Sequence, residues 1–215
     1  NAEINDEFYQ SLFAPEKFDE LKLPSANQFM PTSTDIKLVK NASENAKMLK
    51  DTRGMKLYHS RDLEFNRPKA SLNYKVRFPE KIVSLENAVL MDLYIASLNE
   101  TLNEVGYPAY LAGMEFSIQN DSEGILISVA GYDSALESLM DVIIDALNNI
   151  TLDEKRFSVI MDSQIRALEN KSLDAAYVLA RREVASITKK IFYSPEEKRS
   201  VIESFSLADV KNFPK

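Results

Sequence analysis

The segment MEFSIQNDSEGILISV, residues 114–129, indicates the fold class more directly than any other part of the chain. Apolar side chains at positions 114, 116 and 118 alternate with polar ones, and positions 125, 127 and 129 repeat the alternation. A period of two is typical of a strand with one buried face. Because residues 120–124 are mostly turn formers, the segment predicts a β-hairpin with a loop of four or five residues.

Three further strands are predicted before this hairpin, at residues 35–40, 55–59 and 72–78. The third is the clearest, because its apolar side chains alternate with Asn, Lys and Arg. A polar loop reaching about residue 54 separates the first two. The hairpin would then add two strands to these three.

A long helix is predicted between the third strand and the hairpin, with Ser84 as its N-cap and Gly106 as its end. Its core face carries apolar residues at spacings of three and four: Met91, Tyr94, Leu98, Leu102 and Val105. This periodicity indicates a helix lying on the sheet.

The chain after residue 133 is predicted to be helical, over residues 134–149, 152–171 and about 173–191, with a last short turn from Ser206. Capping boxes are predicted at Ser134, Thr151 and Ser194, from a Ser or Thr three residues before Glu. The third helix is expected to bury Tyr177, Ala180, Val184, Ile187 and Ile191, which share one face.

The element order is β-β-β-α-β-β-α followed by a helical array. Strands and helices grouped in this way favour an α+β fold, with an antiparallel sheet of about five strands and helices packed on one face. No internal repeat shorter than the domain is visible.

Composition narrows the range of partners. The chain has 215 residues, 45% hydrophobic content and a net charge of -7, which fits one domain with or without an extension. An acidic chain without a basic run does not predict a nucleic-acid partner, and no apolar run approaches a membrane span. The absence of cysteine favours a bacterial periplasmic or secreted protein, with the cytoplasm as the alternative.

Residues 1–33 are predicted to lie outside the domain proper. Asn1-Ala2 is expected to be the scar of an expression tag, and residues 3–33 an arm from a preceding domain. The arm carries a short helix at about residues 4–12 and five aromatic residues. It would lie either on this domain's own surface or against a preceding domain. Residues 34–215 form the domain proper in this interpretation.

Several kinds of catalytic site are excluded by counting. The chain has a single histidine, His59, and no cysteine, whereas the zinc peptidase motifs each need two histidines on one helical face. The closest of the five glycines are seven residues apart, a spacing that builds neither a phosphate loop nor a dinucleotide fingerprint. The sequence therefore assigns no catalytic, metal-binding or cofactor-binding residue.

The remaining candidate chemistry lies near His59. A serine and carboxylates follow it within a few residues, but adjacent strand residues point to opposite faces, and catalytic groups normally converge from distant parts of a chain. A strand end running into a solvated charged turn is the favoured interpretation. Substrate contacts stay unassigned, with Arg61, Asp62, Arg67 and Lys69 noted only because charges cluster there.

Five segments resemble the third domain of the insulinase/pitrilysin family of zinc metallopeptidases. They keep the family's order and spacing over about residues 23–213. They are LPSANQFMPT at 23–32, FNRPKA at 65–70, LNE with the following Y-x-A-x-L-A-G at 102–113, Gly131-Tyr132, and EKRF at 154–157. Each match is weak alone, and their collinearity carries the resemblance.

The resemblance implies a four-domain clamshell of α/β-rolls, of the LuxS and mitochondrial-processing-peptidase type, that encloses peptides. Zinc would be held in the parent enzyme's first domain by H-x-x-E-H and a distal glutamate. The third domain would be a non-catalytic copy that forms chamber wall, so this fragment alone would not cleave peptides. Its partners would be the other domains of the same polypeptide and the parent's peptide substrates, with no membrane partner.

Two alternatives stay open. The chain could be a stand-alone binding or scaffold protein on the same roll, like non-catalytic processing-peptidase-like core subunits, or a hydrolase centred on His59. Exposed aromatic residues in the arm would favour a missing partner domain. In the family a further strand follows the helix resembling residues 207–213, so a truncated sheet, paired across an edge-strand dimer, is also expected.

Overall fold

The computed structural model describes residues 6–13, 25–36, 45–79, 84–121 and 124–214. The strands are β1 Lys47–Thr52, β2 Met55–His59, β3 Lys69–Arg77, β4 Glu115–Asp121 and β5 Gly124–Tyr132. The helices are α1 Asp6–Ser11, α2 Leu85–Thr101, α3 Asn103–Leu111, α4 Leu136–Asn148, α5 Glu154–Asn170, α6 Ala176–Thr188, α7 Pro195–Val201 and α8 Leu207–Asn212. Two short 3₁₀ turns follow α5 and α7, at Lys171–Leu173 and Ile202–Ser204.

The predicted sheet of about five strands is wrong for the part of the chain described. The strands form a two-stranded sheet, β1-β2, and a three-stranded sheet in the order β3-β5-β4. Of the strand predicted at 35–40, Asp35 and Ile36 are irregular and residues 37–40 lie outside the described residues. The mixture of helix and sheet is confirmed, and the α/β-roll type stays a prediction.

The β1-β2 hairpin explains much of the difference. β2 was predicted, but β1 occupies the segment predicted to be a polar loop, and it pairs with β2 around the Arg53-Gly54 turn. Every residue of both strands is exposed, so the hairpin has no buried face that would join it to the larger sheet. Because β1 lacks regular alternation, the period-two pattern does not reveal it.

The three-stranded sheet supplies one wall of the core. Val129 of β5 pairs with Leu72 of β3 and with Phe116 of β4, so these side chains share a face. Helices α2 and α4 pack on that face, against β4 and β5 respectively. β4 and β5 are the predicted hairpin, but only residues 122 and 123 separate them, fewer than the predicted loop.

The predicted long helix is in fact two consecutive helices, α2 and α3, and the second extends past Gly106. Ser84 caps α2 as predicted, its hydroxyl accepting a hydrogen bond from the Asn87 N–H at 3.2 Å. The helix is interrupted at Leu102, and α3 then runs through Gly106 to Leu111. Gly106 does not end the helix because it does not adopt the positive φ of a C-terminal glycine cap.

Of the three predicted capping boxes, only the one at Ser194 forms, and a further one forms at Ser206, where only a short turn was predicted. Ser194 and Ser206 each form a capping box with the residue three positions later. Ser134 instead exchanges hydrogen bonds with Ser33, and α4 starts after Ala135 without a side-chain cap. Thr151 is displaced as the cap of α5 by Asp153, whose Oδ1 accepts the Arg156 N–H at 2.7 Å. A carboxylate nearer the helix start satisfies the free N–H groups more directly.

The prediction for α6 placed its buried face on the wrong side. Tyr177, Val184 and Ile187 are exposed, and Ala180 between them is exposed too. The side chains that turn inward are Val178 and Leu179, with Arg182 and Ala185 on later turns. The helix is apolar on two faces, so its periodicity alone could not identify the inner one. None of the described helices is long and apolar enough to cross a membrane.

Candidate functional site

A cleft of about 570 Å³ lies between α2, α5 and the tip of the β4-β5 hairpin. The segment 189–193 and the start of α7 close its remaining side. The lining combines apolar side chains such as Met91 and Phe192 with polar ones such as Asn99 and Gln164. It is larger than the cavity beside the turn at residues 62–69, which has a volume of about 490 Å³.

Helix α2 forms one wall of the cleft. One face of this helix packs in the core, and a second face lines the cleft. Val89, Leu93 and Leu98 are buried in the core. Ala88, Asp92, Ala96 and Asn99 follow one another at spacings of four, four and three, and this second face lines the cleft. Residues at these spacings lie on one side of a helix. The polar residues on the second face of a largely apolar helix are the sequence signal for this site, which was not among the predicted sites.

Asp92 is the polar centre of the cleft. Its Oδ2 accepts a hydrogen bond from Lys198 Nζ at 2.7 Å, and its Oδ1 accepts one from Asn120 Nδ2. These contacts tie α7 and the end of β4 to the middle of α2. The side chains of Lys198 and Asp92 are 22% and 27% exposed, so the pair is partly shielded from water.

A second pair stiffens the same end of the sheet. Lys75 of β3 forms an ion pair with Asp121 at the end of β4, next to the cleft. Asn99 Nδ2 donates to the Ile118 carbonyl at 3.4 Å and so joins α2 to β4. The cleft walls are therefore held by contacts between elements far apart in sequence.

The core behind the cleft fixes the orientation of α2. Tyr94 is 2% exposed, and its hydroxyl donates to the Leu147 carbonyl of α4 at 2.6 Å. Burial raises the pKa of Tyr94 to about 12, because the phenolate would be charged in an apolar environment. The Tyr94 ring lies 5.3 Å from the ring of Phe213, which also lines the cleft.

The structure places the charged cluster noted in the sequence away from the cleft. His59 is exposed at the end of β2. The Oδ1 atom of Asp62 accepts the Glu64 and Phe65 N–H groups at 2.9 and 3.2 Å, which is a turn contact. Arg67 lies over the Phe65 ring at 5.0 Å. These contacts are those of a solvated turn.

A smaller cavity of about 490 Å³ brings together two members of that cluster. Asp62 and Lys69 both line it, with Tyr110 and Glu115, whereas Arg61 and Arg67 do not. Lys69 also lies 5.0 Å from the Tyr132 ring centroid. Neither cavity joins a nucleophile to a histidine. Among the described residues there is no group of three or more His, Asp or Glu side chains that could hold a metal ion.

The lining of the cleft offers polar and apolar groups of the kind that contact peptides. Its carboxamides can donate to and accept from a peptide backbone, and its apolar wall can cover side chains. The chain's one histidine and the described carboxylates do not fit a zinc site, because zinc peptidase motifs need two imidazoles beside a glutamate.

Comparison with known proteins gives a consistent result. Residues 2–201 match the family described as the middle or third domain of peptidase M16. The chain is 30% identical to insulin-degrading enzyme of Homo sapiens over 214 residues, covering 99% of this chain and 20% of that protein. It is 28% identical to insulin-degrading enzyme of Drosophila melanogaster over 198 residues, covering 92% of this chain and 20% of that protein.

A solved structure shares the fold. The crystal structure of pitrilysin superposes with a TM-score of 0.83 at 18% sequence identity, covering 90% of this chain and 21% of that one. The chain spans about a fifth of the length of the curated relatives it matches.

Proposed function

The chain belongs to the middle, or third, domains of the insulinase/pitrilysin family of zinc metallopeptidases, and we propose that it is a non-catalytic, chamber-lining domain of a longer peptide-degrading enzyme. The observation that carries this proposal is coverage. Nearly all of the chain matches its human relative, yet the match accounts for only 20% of that relative. A segment of that size would be one domain of a longer polypeptide.

The non-catalytic role is supported by residue count. A single histidine cannot supply the two imidazoles of either zinc motif, wherever it lies in the fold. Zinc would therefore be held by another domain of the parent enzyme, and no chemical step is assigned to this chain. Its contribution would be to enclose peptide and to position it.

The cleft between α2 and α5 is the proposed peptide-contacting surface. Asn99 and Gln164 present carboxamides beside an apolar wall, and such groups match the alternating polar and apolar character of an extended peptide. The anchored pair of Asp92 and Lys198 would keep that wall fixed during binding. The cleft would then contribute binding energy remote from the bond that is cleaved.

Exposure of the N-terminal aromatics favours a multidomain parent over the stand-alone alternative. Phe8, Tyr9 and Phe13 are 58%, 50% and 68% exposed. The Tyr9 and Phe13 rings lie 5.1 Å apart, and a contiguous exposed apolar patch is typical of an interaction site. By contrast Phe29 is 1% exposed and belongs to this domain's own core.

Kinetics of the longer polypeptide test the proposal. The double variant Asn99→Ala and Gln164→Ala should raise KM for a fluorogenic peptide and leave kcat and zinc content nearly unchanged. The matched control is Asn148→Ala, an exposed carboxamide on α4 outside the cleft. An unchanged KM in the double variant would contradict the role proposed for the cleft.

A further inference from the structure

Helix α6 presents a line of exposed apolar side chains. Tyr177, Val184 and Ile187 are 69%, 60% and 85% exposed, and Leu173 in the preceding turn is 81% exposed. With Ala180 between them, they follow spacings of four, three, four and three, which places the helical members on one side. We call these five residues the α6 stripe.

The opposite face of α6 is partly buried within this chain. Val178, Leu179 and Ala185 are partly buried there. Arg182 donates to the Lys171 carbonyl at 2.9 Å and pairs with Asp174 at 2.5 Å, which fixes the helix to the turn before it. A helix that is apolar on both sides is typical of one covered on both sides. Among the described residues, only the face with Val178, Leu179 and Ala185 is partly covered.

We propose that the α6 stripe is the docking surface for an amphipathic helix from another domain of the same longer polypeptide. The proposal rests on the proposed function, because it requires that parent polypeptide. The spacings of the stripe suit a helix, since side chains three and four residues apart interdigitate with those of a second helix. Ala180 leaves a hollow between Tyr177 and Val184 into which a larger side chain can insert.

The length of the relatives favours this occupant over a second copy of the chain. About four fifths of the human relative lies outside the matched segment, which covers 20% of it. A tethered domain meets the stripe at an effective concentration in the millimolar range, whereas a separate copy must associate from dilute solution. The tethered helix therefore occupies the surface first.

The stripe also adjoins the cleft. Lys171 before α6 and the segment 189–193 after it both line the cleft. A domain docked on α6 would lie beside the cleft and hold both flanking segments. The docking surface would thus place the cleft near a boundary between domains.

Photo-cross-linking in the longer polypeptide identifies the occupant. Val184→p-benzoylphenylalanine places the probe in the stripe, and Val159→p-benzoylphenylalanine is the control, because Val159 on α5 is also 60% exposed. The expected result is an intramolecular cross-link from position 184 to a helix outside residues 1–215, in higher yield than from position 159. A cross-linked dimer would assign the surface to a second copy, and the absence of any cross-link at 184 would show it open to solvent. Either result overturns the proposal.

A second variant gives an independent readout. Val184→Glu should lower the thermal midpoint of the longer polypeptide, and Val159→Glu should not, because only the first buries a charge in an interface. Equal midpoints would count against the proposal. Both measurements are independent of peptidase activity, so an inactive but cross-linked parent would reject the proposed function and keep the docking surface.

Discussion

The Nζ atom of Lys198 lies 2.7 Å from Oδ2 of Asp92, and this contact joins residues 106 positions apart. It brings the short helix α7 onto the middle of α2, where Asn120 completes the set of donors to the carboxylate. One wall of the cleft therefore depends on an ion pair between the N-terminal and C-terminal halves of the domain.

Lys198→Met should lower the free energy of unfolding by about 1 kcal/mol, near the upper end for ion pairs that are not fully buried. The loss should shrink at high salt, because screening already weakens the pair in the native protein. Urea unfolding at low and high salt measures both effects. The control is Lys155→Met on α5, an exposed lysine, and a loss of equal size there would mean that the pair itself contributes nothing.

Tyr94→Phe should cost about 1 kcal/mol at neutral pH, because the Leu147 carbonyl loses its donor. The pKa of Tyr94 is raised from 10.0 to about 12 in the folded chain. Its contribution to stability is thus complete below pH 10 and is lost as the pH rises toward about 12, since the unfolded chain releases the proton first.

The advantage of the native protein over Tyr94→Phe should therefore diminish across that alkaline range. Unfolding midpoints of both proteins, measured from neutral to alkaline pH, check the prediction. Tyr177→Phe is the control. Because Tyr177 is 69% exposed, loss of its hydroxyl should change the unfolding midpoint little. A constant difference between native protein and Tyr94→Phe at every pH would contradict it.

Gly131→Ala and Gly106→Ala should have opposite effects. Gly131 has φ of 146°, and a Cβ there would clash with the Met114 sulfur and lie 2.9 Å from the Met114 Cα. The backbone strain alone costs roughly 1–3 kcal/mol. Gly106 lies within α3 with no atom near its absent Cβ, so alanine should stabilise by up to about 1 kcal/mol. Thermal midpoints moving in the same direction would refute this assignment.

Asp153→Ala should destabilise α5 by about 1 kcal/mol, because the carboxylate caps the Arg156 N–H. Thr151→Ala is the matched control, since Thr151 fits the capping pattern in sequence but makes no cap in the structure. Chemical denaturation of both variants distinguishes them. A larger loss of stability in Thr151→Ala than in Asp153→Ala would show that Thr151 is the cap, as the sequence predicted.

The sequence predicted elements whose burial pattern is unambiguous. The strands β3 to β5, the alternating burial in β5 and the cap at Ser84 are confirmed. The buried face predicted for β3 is wrong, because Tyr74 and Val76 are 40% and 45% exposed. The resemblance to the middle domains of the peptidase family is confirmed as well. Local pattern and collinear motifs were sufficient for these features.

Some features that the sequence did not predict have weak or ambiguous local patterns, and others depend on contacts at long range. β1 forms only because β2 folds back on it, and the inner face of α6 was ambiguous because both faces are apolar. The cleft was missed because Asp92 finds its partners in Asn120 and Lys198, distant residues that no local pattern connects. The candidate catalytic groups near His59 were neighbours in sequence. In the structure His59 is exposed at the end of the β1-β2 hairpin.

The most direct measurement compares the purified 215-residue chain with its longer parent polypeptide in a peptide-cleavage assay, alongside metal analysis of both. The parent should contain zinc and cleave the peptide, while this chain should bind no zinc in stoichiometric amount and release no product, with or without added metal. Zinc-dependent cleavage by the chain alone, abolished by His59→Ala, would contradict a non-catalytic role.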